Sequence, residues 1–327
     1  MESSVFRVFL DNRRLPRVDY AVASTIYSGT ESYLDTTAGG TSYAVLGWNH
    51  ASVNEAINTQ LKKFGHIDYK IWEDPNVEHL ARVMTANSPK FVSKIYFSGN
   101  SGAEACEAAM KMSFQYHVLA GHSTRKWFIS RKQSYHGSTA DALVLGDRPN
   151  LEFYKSMLSP YRAQVSMHHY KKCALQGESE DEYSSRCANE LEALILKLGP
   201  KNVAGFVGET IMGGLVGDVP PVGGYWKKIH EVCKRYGVHL ILDEVYCGTG
   251  TSGTYFCIEQ DGAEARLHGP HAAREGGGGD AGLELVVGRA HDRAVLDGAA
   301  AEEHTGGVLR TEPDVEDAGL GDHQRAG

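Results

Sequence analysis

A chain of 327 residues with a formal net charge of −8 has room for one large domain and a smaller one. That balance gives no reason to expect nucleic acid or an anionic membrane as partner. Its first residues, MESSVFRVFLDNRRLP, lack the apolar core of a secretion signal, and no run is long and apolar enough to span a bilayer. The six cysteines are scattered without a CxxC pair, which predicts reduced thiols in a cytoplasmic protein, not a disulfide framework or a zinc site.

Residues 1–36 alternate short apolar and polar pieces, with Ser28-Gly29-Thr30 as a hairpin turn and Tyr33-Leu34-Asp35 closing the second strand. A Gly/Ser/Thr-rich loop follows over 36–49. Residues 51–64 set Val53, Ala56, Ile57 and Leu61 on one side at helical spacing, and a second helix covers 77–86.

The run KIYF at 94–97 predicts a strand. Ser98-Gly99-Asn100-Ser101-Gly102-Ala103 comes next, and a long helix runs from Glu104 to about Leu119. A helix start presents free backbone N–H groups and a positive dipole end, and glycines let a ligand approach the backbone. That combination suits a phosphate; taken alone, it is more often a tight strand-to-helix connection. The strand at 127–130 leads into RKQSYHGST, where Tyr135 is placed to lie on an aromatic ring or to be an ordinary half-buried loop tyrosine. His136 has the same two readings, ligand neighbour or loop histidine.

Residues 150–179 look irregular. An amphipathic helix spans 180–198, with Tyr183, Cys187, Leu191, Leu194, Ile195 and Leu198 on one stripe. A strand at 203–207 ends in Gly208-Glu209-Thr210, a Gly/Pro-rich loop fills 211–224, and a helix covers 225–236. The run His239-Leu240-Ile241-Leu242 predicts a buried strand of a parallel sheet, with Asp243 and Glu244 at its end, where such sheets bind ligands. The strand–helix alternation makes the class α/β.

Gly248-Thr249-Gly250-Thr251-Ser252-Gly253 matches the dinucleotide pattern GxGxxG after a strand. That pattern must open a helix, so that the pyrophosphate meets the helix N-terminus. Here TYFCIEQ, closed by Asp261-Gly262, allows only a short turn, so a dinucleotide fold is not expected.

Tyr33-Leu34-Asp35, Gly47-Trp48-Asn49-His50, the 98–109 stretch, Ser134-Tyr135-His136-Gly137, the 209–224 stretch and the 240–253 stretch together resemble the class III aminotransferases. These are fold-type I enzymes of pyridoxal 5'-phosphate (PLP), and the likeness runs unbroken over about residues 5–261. It is similar to the branch often labelled "aspartate aminotransferase family protein". The resemblance implies a large α/β domain with a mainly parallel sheet and flanking helices. It implies that Ser101, Gly102 and Ala103 meet the PLP phosphate, Tyr135 stacks on the ring and His136 lies beside it. Asp243 binds the pyridine nitrogen, keeping it protonated so that the ring acts as an electron sink. Val245 packs on the opposite ring face, and Tyr246 stands where many relatives have glutamine near the ring hydroxyl. Glu209 and Tyr43, the latter in the loop Gly39-Gly40-Thr41-Ser42-Tyr43, border a substrate pocket shared between the two subunits of a homodimer. The substrates implied are an amine or amino acid and a 2-oxo acid.

The family also has a lysine a few dozen residues after the Asp–Glu pair, which holds PLP as a Schiff base and shuttles a proton. This sequence has no lysine after Lys234. From Gly262 onward Gly and Ala dominate, with a four-glycine run at 276–279 and no Phe, Tyr, Trp, Ile or Met. Such a stretch buries little surface against its ordering entropy. The expected organisation is an N-terminal segment over 1–50, an incomplete PLP-binding domain over 51–261, and a low-complexity stretch over 262–327, disordered or read out of frame, in place of the family's small C-terminal domain. The expected behaviour is a transaminase by descent whose own turnover is lost with the lysine and whose PLP binding is weak or absent, or else a non-catalytic partner subunit or a product without function.

Overall fold

The structure is a computed structural model. It describes residues 15–37, 44–68, 71–89, 92–98, 101–148 and 151–261, and the backbone of strands at 284–288 and 293–296. Tyr43 and the 39–43 loop lie outside the described residues.

The chain first folds as a three-stranded antiparallel sheet of β1 (Tyr20–Val22), β2 (Thr25–Ser28) and β3 (Glu31–Leu34). The β2–β3 register pairs Ser28 with Glu31, which leaves Gly29 and Thr30 as the tight turn expected from the sequence. Helices α1 (Ala51–Leu61) and α2 (Pro75–Asn87) follow. The second starts cleanly because Asp74 accepts from the N–H of Asn76 and Pro75 occupies the first turn, where its missing N–H costs nothing.

A seven-stranded sheet organises the rest. Its members are β4 (Lys94–Phe97), β5 (Trp127–Arg131), β6 (Arg162–Val165), β7 (Val203–Glu209), β8 (His239–Glu244), β9 (Glu284–Gly288) and β10 (Arg293–Leu296). The order is β4-β10-β9-β8-β7-β5-β6, and only β10 runs against its neighbours. Every residue of β7 and β8 is buried, as a sheet covered on both faces requires.

The coverings come from α3 (Gly102–Leu119), α4 (Ala140–Leu145), α7 (Glu180–Leu198) and α8 (Tyr225–Tyr236). Successive strand residues face opposite sides. Leu240 and Leu242 therefore join Tyr183, Leu191, Ile195, Trp226 and Ile229 in one cluster, beneath α7 and α8. Ile241 joins Cys106, Ala109, Ala142 and Leu145 in another, beneath α3 and α4.

Two regions differ from the sequence expectation. The stretch 150–179, expected to be irregular, contains short helices α5 (Leu151–Tyr154) and α6 (Tyr170–Cys173) and the strand β6. The sequence RAQV carries no apolar run because β6 is the outermost strand, and Gln164 uses its amide to reach the carbonyls of Leu145 and Gly146. The stretch 262–327, expected to hold no packed element, supplies β9 and β10. Their sequences, ELVVG and RAVL, are among its few runs of strand-forming residues. They fill the gap between β8 and β4, whose ladders would otherwise end unpaired.

Candidate active site

Strand direction decides which residues can meet. β4 is antiparallel to β10, which is antiparallel to β9, so β4 points the same way as β5, β7 and β8. The residues after β4 and β5, the end of β7 and the end of β8 therefore share one edge of the sheet, the edge at which parallel sheets take ligands.

Asp243 is the centre of this edge. It is buried and paired in register with Glu209 on β7. Its Oδ1 accepts from the N–H of Val245 at 3.0 Å. Its Oδ2 lies 2.8 Å from His136 Nδ1 and accepts from the thiol of Cys106 at 3.5 Å. Burial, and after it the charge of Asp243, pushes the Cys106 thiol well up, so it stays protonated and donates. Three elements thus fix one carboxylate: β8 carries it, the loop after β5 brings the imidazole, and α3 brings the thiol.

The start of α3 closes the site from above. Ser101 is the N-cap in a capping box: its Oγ accepts from the N–H of Glu104, and the Glu104 carboxylate accepts from the N–H of Ser101 at 3.0 Å. The hydroxyl of Ser101 is thereby engaged in starting the helix. The N–H groups of Gly102 and Ala103, in the first turn, have no partner within the helix by its geometry. A Cβ on Gly102 would stand 2.7 Å from Val245 Cγ2, and one on Gly137, held at φ +139°, would collide with Ala103. Only glycine lets the α3 start, the 135–137 loop and the segment after β8 approach this closely.

Tyr135 is 38% exposed, and the Arg148 guanidinium lies over one ring face, 3.9 Å from its centroid. A stacking partner would have to take the other face. Glu209 accepts from the N–H of Gly213 at 3.2 Å through Oε1, while its buried Oε2 has no partner; burial raises its carboxyl above the ordinary carboxylate range. A Cβ at Gly213 would lie 3.5 Å from Glu209 Oε1 and 3.7 Å from the ring of Tyr246, which puts Tyr246 beside the same loop. Buried Arg131 holds the backbone of this corner by donating to the carbonyl of Glu209, with its guanidinium 5.2 Å from the Trp226 ring.

The structure therefore brings Gly102, Ala103, His136, Asp243 and Val245 together, with Tyr135 at the rim and Glu209 and Tyr246 alongside. Cys106 and Arg148 were not anticipated. Cys106 sits inside an alanine-rich helix and reads as core; Arg148 follows α4 in a plain polar loop. Glu244, the second acid of β8, faces away. It accepts from Thr210 Oγ1 at 3.0 Å and from the N–H groups of Cys257 at 2.6 Å and Ile258 at 2.8 Å.

Comparison with known proteins gives the family. The family model Aminotransferase class-III matches residues 25–269. The chain belongs to the class-III aminotransferase family. Pyridoxal phosphate is the cofactor of these aminotransferases. An uncharacterized aminotransferase of Schizosaccharomyces pombe is 36% identical over 252 residues, 77% of this chain and 55% of that protein. Gamma aminobutyrate transaminase 2 of Solanum lycopersicum is 36% identical over 275 residues, 82% of this chain and 59% of that protein. The chain thus spans little more than half the length of these relatives. In structure it is similar to an omega transaminase of Pseudomonas jessenii solved in complex with PMP, with a TM-score of 0.75 and 27% identity, over 86% of this chain and 60% of that one.

Proposed function

We propose that this chain carries the PLP-binding centre of a transaminase, holds the cofactor without a covalent link, and does not turn over by itself. The observation that supports it most is the buried Asp243, oriented by His136 and Cys106 and packed under the glycine start of α3 through Val245. The donor set fits the cofactor. The N–H groups of Gly102 and Ala103 suit its phosphate, Asp243 its pyridine nitrogen, and Val245 and the other face of Tyr135 its ring. Bound PLP supplies an electron sink for an amine or amino acid that exchanges its amino group with a 2-oxo acid. The chain's own residues bind and orient: Asp243 holds a proton at the pyridine nitrogen, His136 and Cys106 hold Asp243, and Glu209 borders the substrate. The step that needs a lysine base has no candidate, since none follows Lys234 in the sequence.

PLP titrated into the purified chain should quench its tryptophan fluorescence and leave on dialysis. Asp243→Asn should weaken binding at least tenfold. No quench up to millimolar PLP, or an absorbance band that survives dialysis, would overturn the reading.

A second reading, a non-catalytic subunit paired with an intact relative, is favoured by the N-terminal half. Helix α1 has no buried residue, and Val53, Ile57 and Leu61 are 40%, 53% and 58% exposed along one stripe. Co-expression with a full-length relative and capture of one through the other would support it; separate elution of the two would sink it. None of the helices among the described residues is long and apolar enough to cross a membrane.

A further inference from the structure

Cys106 Sγ, His136 Nδ1 and Asp243 Oδ2 all lie within 4.8 Å of one another, and all three residues are buried. We propose that these three side chains form a binding site for a borderline-soft divalent cation of the zinc type. The inference does not rest on the cofactor reading. A thiolate, an imidazole and a carboxylate are the three ligand types such an ion takes, at about 2.3, 2.0 and 2.1 Å. Tetrahedral bonds of those lengths place sulfur and oxygen roughly 3.5 Å apart and nitrogen and oxygen roughly 3.3 Å apart. The structure holds the first pair at 3.5 Å and the second at 2.8 Å, so the imidazole has to draw back from the carboxylate by about half an ångström, and sulfur and nitrogen lie within 4.8 Å of each other.

The ligands come from α3, the loop after β5 and β8, so the packed sheet sets their geometry before any ion arrives. Among the described residues His136 Nε2 is buried without a partner, and so is Glu209 Oε2 on the strand next to Asp243. On binding, the ion replaces the thiol proton, which leaves to solvent. The Nδ1 proton is lost in favour of the Nε2 tautomer, so His136 remains neutral. One proton is released per ion, and nothing is oxidised or reduced.

The test is a titration of the reduced full chain with Co2+ as a spectroscopic probe, followed by displacement with Zn2+. The expected result is one ion per chain, a sulfur-to-cobalt charge-transfer band, and no displacement by Mg2+. Cys106→Ser should abolish the band and weaken Zn2+ binding at least tenfold. His136→Gln should weaken it similarly while keeping the band, and it carries the test if the cysteine variant does not fold. Cys257→Ser should change neither. No band at millimolar cobalt, a band that persists in Cys106→Ser, or equal binding of Mg2+ would overturn the proposal. PLP added to the cobalt-loaded chain separates the two readings: displacement shows that both share Asp243, whereas cobalt that stays bound leaves the metal site standing and counts against Asp243 as the pyridine partner.

Discussion

At the level of single residues, the two acids of β8 meet different surroundings because neighbours on a strand face opposite sides. Asp243 enters the site beneath α3; Glu244 enters the core beneath α8 and ties the end of β7 to the turn at Cys257–Gln260. Burial outweighs the three hydrogen bonds it accepts and pushes Glu244 from an ordinary 4.5 up to about 8. An acid raised in the folded state binds its proton more tightly there than in the unfolded chain. Its contribution to stability is therefore complete below about 4.5 and is lost as pH rises through about 8. Urea midpoints measured between pH 5 and 8 should fall across that window, and Glu244→Gln should flatten the decline. A Gly102→Ala chain should lose about 1–3 kcal/mol by overpacking against Val245, with partial recovery in the Gly102→Ala/Val245→Ala double variant, read from the same curves. Asp243, His136, Gly102 and Glu209 were singled out from the sequence only by a strand end, a glycine turn and an aromatic-His-Gly step taken together, since each alone has a second, purely structural reading. Cys106 was not, since its partner Asp243 is 137 positions away and no local spacing encodes a contact made across the sheet.

Among the elements, α7 shows how local and distant terms combine. Its capping box at Ser179 and Glu182 sets the start, and the stripe through Tyr183, Leu191 and Ile195 seats it on the sheet. Ser179→Ala should cost about 1 kcal/mol and Leu191→Ala about 2–5 kcal/mol, since the first loses one cap and the second opens a cavity in a fully buried cluster. Chemical denaturation of the two variants checks both the order and the gap. Strong periodic signals of this sort made α7, α8 and β4 legible to the residue. β6 escaped because an outer strand needs no apolar run, and α4 because six residues are too few to display a helical period.

For the whole molecule, the pairing of β4 matters most. Among the described residues it joins the main sheet through β10, and β10 through β9. The glycine start of α3, which follows β4, is thereby braced against Asp243 by two strands from the stretch whose composition is least suited to folding. Deleting 262–327 should leave the β4 and β8 edges bare, and light scattering and size-exclusion chromatography should report association of the shortened chain where the full one stays dispersed. The opposite facing of Asp243 and Glu244 has its own corollary. A strand threaded one position out of step would send the longer acid to the α3 side, and the amides of Cys257 and Ile258 would find no acceptor. The chain thus proofreads its own threading, because the carboxylate that fastens the loop and the carboxylate that serves the site can both be right in one alignment alone.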